Sequence, residues 1–490
     1  MEPQESSQIS KKTVKNLAWY TLLPIMMQII RFGSTVILAR ILSPHDFGIV
    51  GIVSVITYYC NNISTLGLGN AIVQKKDITK YHLNTFFTFN LIVSLILFFI
   101  FIQLSESIAE YFQINELKKV IIFYSLVFIL TSFYSIGYTK LRRDLAFKYL
   151  AINENLQTLC SIVISLILAF AGYGYWALLV ATISSMMLAT IAINIEARLL
   201  PKIAFNKQAF GELWNYASWN FVSQQTRLLN EYIDKFIIGK ILGATSLGYY
   251  EKSFGIAQMP NDQISNKINV VSFSTFSRCQ GNAEEINYLF VRIFITSSFM
   301  IFPIYFGLFA ISESLVLVLF GQKWQAIIPS FQILLAAFLV SSISALFSTI
   351  NITCNHHKQD TTIRLACILV VVPCLILVAN RGIEFVATVV LLNNILFLFL
   401  SLKLAQRAIA LSVWAIVRMI IPAFLGSGIM MVILFVWQIY IYSTVNIVNL
   451  SLQIIIGFFF YSLWFFSTKF ETWHFLREKS ISFIRKLISR

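Results

Sequence analysis

Charge is what this sequence has least of. Only 12% of its 490 residues are Asp, Glu, Lys or Arg, about half the share in a soluble globular protein, and mean hydropathy is +0.76. Such a chain cannot cover itself with polar surface in water, which excludes a soluble enzyme. Acids are scarcer still, 22 against 37 Lys and Arg. In a soluble protein the net charge of +15 would point to nucleic acid. In so apolar a chain it reads as the basic excess that faces cytoplasm and anionic lipid, so membrane lipid is an expected partner and nucleic acid is not. The cysteines at 60, 160, 279, 354, 367 and 374 lack metal or redox spacing, and the pair His356-His357 has no third ligand nearby. Neither metal nor cofactor is expected. Long polar connections are missing as well: on loose boundaries none exceeds about twenty residues, too little for the extramembrane site of a polymerase or glycosyltransferase. His45, His82, His356, His357 and His474 all fall in loops or the tail, where no membrane acyltransferase could use them. The chain therefore reads as no enzyme, with a membrane enzyme of polysaccharide assembly kept as the remote alternative.

What the sequence has is apolar length. With about 20 residues needed per crossing, it holds fourteen spans: 17–38, 47–69, 83–104, 119–139, 150–171, 175–195, 214–238, 248–269, 289–311, 327–350, 363–380, 385–402, 417–439 and 447–467. Placing the N-terminus inside puts 25 Lys and Arg on inside segments and 6 outside. That bias predicts cytoplasmic termini at both ends. The polar start, Met1 to Lys15, shows no cleavable signal. The basic tail from Lys469 to Arg490 can gather Trp473, Leu476, Phe483 and Leu487 on one helical face, and is expected to lie on the anionic leaflet.

An offset of 200 residues exposes a repeat. Ile37-Leu-Ala-Arg-Ile-Leu-Ser-Pro-His-Asp-Phe-Gly48 aligns with Ile237-Ile-Gly-Lys-Ile-Leu-Gly-Ala-Thr-Ser-Leu-Gly248, and Trp19, Asn61 and Thr65 meet Trp219, Asn261 and Ser265. Six spans separate the copies, so both halves share one topology. The expected fold is all-α and polytopic: an N-terminal lobe over 1–205, a C-terminal lobe over 206–410, appended spans over 411–468 and the tail over 469–490. Two six-helix lobes about a central cavity describe a transporter.

An intramembrane charge costs about 2.5–3.5 kcal/mol on insertion scales, so such charges should face water or one another. At 100° per residue, the seventh span gathers Asn220, Ser223, Gln224, Arg227, Glu231, Asp234 and Lys235 in a stripe about 120° wide. The first span aligns Tyr20, Pro24, Gln28, Arg31 and Thr35; the second aligns Ser54, Tyr58, Asn61, Asn62 and Thr65; the eighth aligns Glu251, Gln258, Asn261, Asp262, Ser265 and Asn269. These are equivalent helices of the two repeats. Within the seventh span, Glu231 sits one turn from both Arg227 and Lys235 and could neutralise either; Arg31 has no acid in its own span and needs one elsewhere or an anionic ligand.

Several stretches resemble the polysaccharide-transporter family of Wzx-type flippases, in the multidrug/oligosaccharidyl-lipid/polysaccharide superfamily. They are Ala39-Arg-Ile-Leu-Ser-Pro-His-Asp-Phe-Gly48, Leu66-Gly-Leu-Gly69 with Gln74-Lys-Lys76, Leu141-Arg-Arg-Asp-Leu-Ala-Phe-Lys148, Asp234-Lys-Phe-Ile-Ile-Gly239, Leu247-Gly-Tyr-Tyr250 and Phe320-Gly-Gln-Lys-Trp324. The likeness covers about residues 14 to 410 and looks nearest the colanic-acid and teichuronic-acid branch. It implies an ion-coupled flippase of the bacterial cytoplasmic membrane. Its cargo would be an undecaprenyl-pyrophosphate-linked oligosaccharide and its coupling ion H+ or Na+, with polysaccharide polymerase and export machinery as candidate partners. The family's cationic cavity corresponds to Arg31, Arg227 and Lys235. Amides and an aromatic for the sugar are available in Gln28, Tyr58, Asn61, Asn62, Asn220, Gln224, Gln258 and Asn261. The candidate coupling carboxylates are Glu231, Asp234, Asp262 and Glu251, because burial and neighbouring charge can bring a carboxyl into the working range. A multidrug exporter of the same superfamily is the runner-up.

Overall fold

Apolar runs of this length leave the backbone one solution in lipid, the hydrogen-bonded helix. The computed structural model describes residues 26–75, 77–199, 201–409, 412–441, 446–467 and 473, and every regular element among them is helical. Ten helices are long and apolar enough to cross a membrane, or eleven if the bent pair Pro44–Ile63 and Leu68–Gln74 counts as one. The ten coincide with expected spans three to six and nine to fourteen. Those that fall short are spans one, two, seven and eight, the same four that bear polar stripes; of the first, only 26–41 is described. A stripe of amides and charges lowers the mean hydropathy of the seventh and eighth, whereas the second is apolar enough only together with Leu68–Gln74, from which it is bent away. Tyr20, Pro24 and the tail, Trp473 apart, lie outside the described residues.

The chain forms two compact units, Met1–Val222 and Ser223–Arg490. Unit 1 holds α1 (26–41), α2 (Pro44–Thr65), α3 (Leu68–Gln74), α4 (Lys80–Phe112), α5 (Glu116–Tyr124), α6 (Leu126–Arg143), α7 (Phe147–Phe170), α8 (Trp176–Glu196) and the start of α9 (Lys207–Ile241). Here α6 packs on α2, α4 and α8, and α7 on α8. Unit 2 continues with α10 (Gly243–Pro260), a π-helical turn (Asn261–Ser265), α11 (Asn266–Arg278), α12 (Ala283–Ala310), α13 (Ser312–Leu319), α14 (Ile328–Thr353), α15 (His357–Val378), α16 (Ile383–Ala405), α17 (Val413–Val436) and α18 (Ile447–Ser467). Its pairings repeat the pattern: α14 packs on α10, α12 and α16, and α15 on α16, with α17 and α18 added against α12.

Several family-like motifs prove to be joints within a unit. Ser43 and Asp46 form a capping box at the start of α2, Ser43 Oγ accepting from the Asp46 N–H and Asp46 Oδ2 accepting from the Ser43 N–H at 2.8 Å. The other oxygen of Asp46 accepts the Tyr175 N–H at 2.9 Å, tying α2 to the α7–α8 turn. That turn needs Gly174, at φ +53°, where a Cβ would stand 3.1 Å from Asp46 Oδ1. Arg143 donates to the carbonyls of Ile72 and Lys75, and Arg142 to Asn70; these cations close the C-terminus of α3, where carbonyls lack partners and the dipole favours positive charge.

Two expectations shift. His82 is no loop residue: it is buried at the third position of α4, its Nδ1 accepting the Thr79 N–H at 3.2 Å. Trp473, placed by its spacing on a membrane-surface face, is fully buried against the rings of Phe299, Tyr461 and Phe465. Aromatic rings set edge-on or tilted to one another gain attraction beyond the area they bury.

Candidate functional site

Unit 2 holds an open-sided cavity of about 260 Å³ to which α9, α10, α14, α15 and α16 all contribute. From the polar stripes come Arg227, Glu231, Asp234, Gln258 and Asn261. Helical spacing places Arg227, Glu231 and Asp234 on one face of α9. Phe254, Phe338, Val371, Leu375 and Val390 form the apolar wall. Neither Arg227 nor Glu231 has an ion-pair partner among the described residues. The expected ladder along α9 does not close: Lys235 turns away and meets Glu251 of α10 at 3.2 Å, with its ammonium 4.2 Å from the Phe254 ring centre. Asp234, also buried, accepts from the Tyr250 hydroxyl at 2.5 Å and from the Lys235 N–H at 2.8 Å. Lys235 and Glu251 therefore knit α9 to α10 and are absent from the cavity lining, while Asp234 reaches both the lining and this knot.

The eighth stripe breaks where the helix changes pitch. Pro260 supplies no N–H for the turn behind it, and residues 261–265 form a π-helical turn. Plotting at 100° per residue fails beyond that point. Gln258 and Asn261 still face the cavity, Asn261 accepting from Ser342 Oγ at 3.3 Å. Asp262 is exposed and absent from the lining, its oxygen held by Asn266 at 3.0 Å and Gln258 at 3.5 Å. Gln224 lies on α9 and is also absent from the lining, and the side chain of Asn220 lies outside the described residues.

Four polar residues of the lining were not foreseen: Asn230, Ser341, Asn393 and Asn394. Asn394 donates to the Ala337 carbonyl at 3.0 Å, whereas the buried Asn393 oxygen has no partner among the described residues, leaving an acceptor for whatever fills the cavity. The same four also line a smaller chamber of about 90 Å³ with Arg364. Arg364, one of the 25 Lys and Arg expected on inside segments, is bound to the buried Asp360 at 3.1 Å and Ser348 at 2.9 Å and lies over the Phe397 ring. An Asn-Asn pair in the middle of an otherwise apolar span was the available signal.

In unit 1 the candidates are spread over three helices. Arg31 on α1 is exposed and donates to Thr158 Oγ of α7 at 3.0 Å; among the described residues it has no acid partner. Gln28 is half-buried on the same helix. On α2, Tyr58 is 48% exposed and its carbonyl accepts from Asn62 Nδ2 at 2.9 Å, one turn from Asn61. A separate polar cluster sits at the start of α9, ahead of the expected span. Glu212 accepts from Lys75 Nζ, from His82 Nε2 at 3.2 Å and from Gln208 Nε2 at 3.2 Å. Hydrogen bonds from Lys75 and then His82 draw the Glu212 carboxyl down to about 2.

Residues 37–329 match the model of a family described as "Polysaccharide biosynthesis protein". Two curated proteins are similar over about two thirds of each chain. A Klebsiella pneumoniae "Uncharacterized membrane protein in cps region" is 27% identical over 66% of this chain and 68% of its own. The "Lipopolysaccharide biosynthesis protein WzxC" of Escherichia coli (strain K12) is 23% identical over 68% of each. Among solved structures, the inward closed conformation of lipid II flippase MurJ superposes with a TM-score of 0.75 at 16% identity. It covers 95% of this chain and all of that one, a likeness of fold.

Proposed function

Because the chain belongs to the polysaccharide biosynthesis protein family and is a multi-pass membrane transporter of that pathway, we propose that it is a flippase for a polyprenyl-pyrophosphate-linked oligosaccharide repeat unit. The cargo crosses the bacterial cytoplasmic membrane by ion-coupled alternating access, with both termini cytoplasmic, for export of a surface polysaccharide. The observation that carries this reading is Arg227, a cation without an acid partner among the described residues, in a cavity also lined by Asn230, Gln258, Asn261, Asn393 and Asn394. Guanidinium offers a planar fork for phosphate oxygens and stays charged at any working pH; carboxamides both donate to and accept from sugar hydroxyls. Arg31, likewise without an acid among the described residues, is the second candidate for the pyrophosphate. The names of relatives support the cargo class: WzxC is named for lipopolysaccharide biosynthesis, and MurJ as a lipid II flippase.

Glu231 and Asp234 are the proposed coupling carboxylates, since both line the cavity. A second reading, a multidrug exporter with a cationic cargo, draws on the same Glu231. One experiment separates the two: mass analysis of polyprenyl-linked glycans from cells lacking the protein, complemented with wild type, Arg227→Gln or Arg31→Gln. A flippase leaves complete repeat units accumulated in the null and in both variants, with each variant present and folded in the membrane. An unchanged glycan profile in the null refutes the cargo assignment and favours the exporter; accumulated incomplete units return the chain to the enzymes.

A further inference from the structure

A second concavity, lined by other residues than the cavity just described, lies where α15 begins and α16 ends. It is an open groove of about 450 Å³. Lys358 in the first turn of α15, Lys403 in the last turn of α16 and Arg407 just beyond all line it, and all three are exposed. None of them forms an ion pair among the described residues. Among the described residues no acid lines the groove. Asp360, which is close in sequence, is buried and held by Arg364 and Ser348. Below the cations the wall turns apolar with Ile363, Leu400 and Leu404, on two helices that each qualify as membrane spans.

We propose that this groove binds the phosphate headgroup of an anionic phospholipid. Three uncompensated cations at a membrane boundary, with the N-terminal dipole of α15 adding to their field, select negative charge. The apolar floor then decides between a soluble anion and a lipid. A free phosphate gains nothing from Ile363, Leu400 and Leu404, whereas a lipid lays its first acyl carbons on them and keeps its phosphate among the cations. Lys403 is held toward the lipid side by the exposed Phe399 ring, 4.4 Å from its ammonium. The residues used here are distinct from those proposed to hold cargo, so the site stands whatever the cargo proves to be. The orientation proposed above serves only to assign the lipid to the cytoplasmic leaflet.

The test uses the full chain in phosphatidylcholine nanodiscs titrated with phosphatidylglycerol, with retained lipids counted by native mass spectrometry. Wild type should retain phosphatidylglycerol in preference to phosphatidylcholine. At about five-fold per surface cation, Lys403→Gln should weaken retention about five-fold, and the triple change Lys358→Gln, Lys403→Gln, Arg407→Gln about a hundred-fold. The charge-keeping triple, Lys358→Arg, Lys403→Arg, Arg407→Lys, should retain the lipid and so separates charge from folding. Equal retention of both lipids by wild type overturns the proposal without reference to any variant. So does a neutral triple that retains phosphatidylglycerol as wild type does. Displacement of the lipid by an equal concentration of inorganic pyrophosphate would make this a soluble-anion site, and the lipid assignment would fall.

Discussion

Neutralising Glu251 offers a measurable test of whether the Lys235–Glu251 contact is scaffold. The side chains are 8% and 27% exposed and 3.2 Å apart. Removing one partner of a fully buried pair costs about 3–5 kcal/mol, because the other charge is left in low dielectric. Glu251 is partly open, and Asp234 remains beside Lys235, so Glu251→Gln should cost about 2 kcal/mol by that rule. At about 2–4 °C per kcal/mol for a unit of this size, the apparent Tm should fall by about 4–8 °C. Lys235→Met should cost at least as much, since it strands Glu251 and also takes the neighbouring cation from the buried Asp234. The double variant should lose less than the sum of the two, because each single change strands a charge that the other removes. The assay is tryptophan fluorescence of detergent-solubilised protein at one fixed scan rate, as unfolding of a large membrane protein is kinetically controlled. If the two single losses simply add in the double variant, the pair is energetically idle and the reasoning fails. A folded double variant that transports normally removes both residues from the binding and coupling roles the sequence assigned them.

Other expectations are more local. The Glu212 carboxyl is drawn from 4.5 to about 2, so what it contributes to folding is fully present above about pH 4.5 and fades as pH falls toward 2. Exchange at amides of residues 207–213 should therefore stay level from pH 8 to 5 once corrected for intrinsic rates, and Glu212→Gln should raise it at every pH; unchanged exchange in the variant would refute the role. Asp46→Ala removes a cap and the partner of the Tyr175 N–H, a loss of about 1–3 kcal/mol. Faster exchange in the α7–α8 turn should accompany it. Gly174→Ala should loosen the same turn by backbone strain, and a stabilised turn in either variant would contradict the geometry.

How far the sequence could be read depended on whether the signal was local. The ten apolar spans were legible because twenty consecutive side chains vote together, and Arg227 and Glu231 because i, i+4 spacing puts them on one face. The partner of Lys235 was not, since Glu251 comes from the next helix and either acid was sterically open to it. Asn393 and Asn394 were averaged away by the apolar run around them. Arg364 was counted by sign alone, and no sequence rule says that Asp360 and Ser348 will take it inward. The family-like motifs were legible as markers but not as parts. Only the fold shows Asp46 reaching the turn at Gly174, or Arg143 closing α3.

The π-helical turn at 261–265 also bears on how this chain should be aligned with its relatives. A wide turn inside an α-helix accommodates one residue more than regular pitch allows, and one residue is worth about 100° of rotation. A relative whose corresponding helix is regular throughout must therefore be one residue shorter between Gln258 and Asn269 to present the same faces on both sides. A single-residue gap there is a difference of pitch, and closing it for the sake of a gapless match would assign α11 to the wrong face. By the same arithmetic, deleting one residue within 261–265 is the shortening this helix can absorb while each half keeps its own neighbours. Deletion of one residue at mid-α14 has no surplus to draw on, and would turn every side chain beyond it away from its partner.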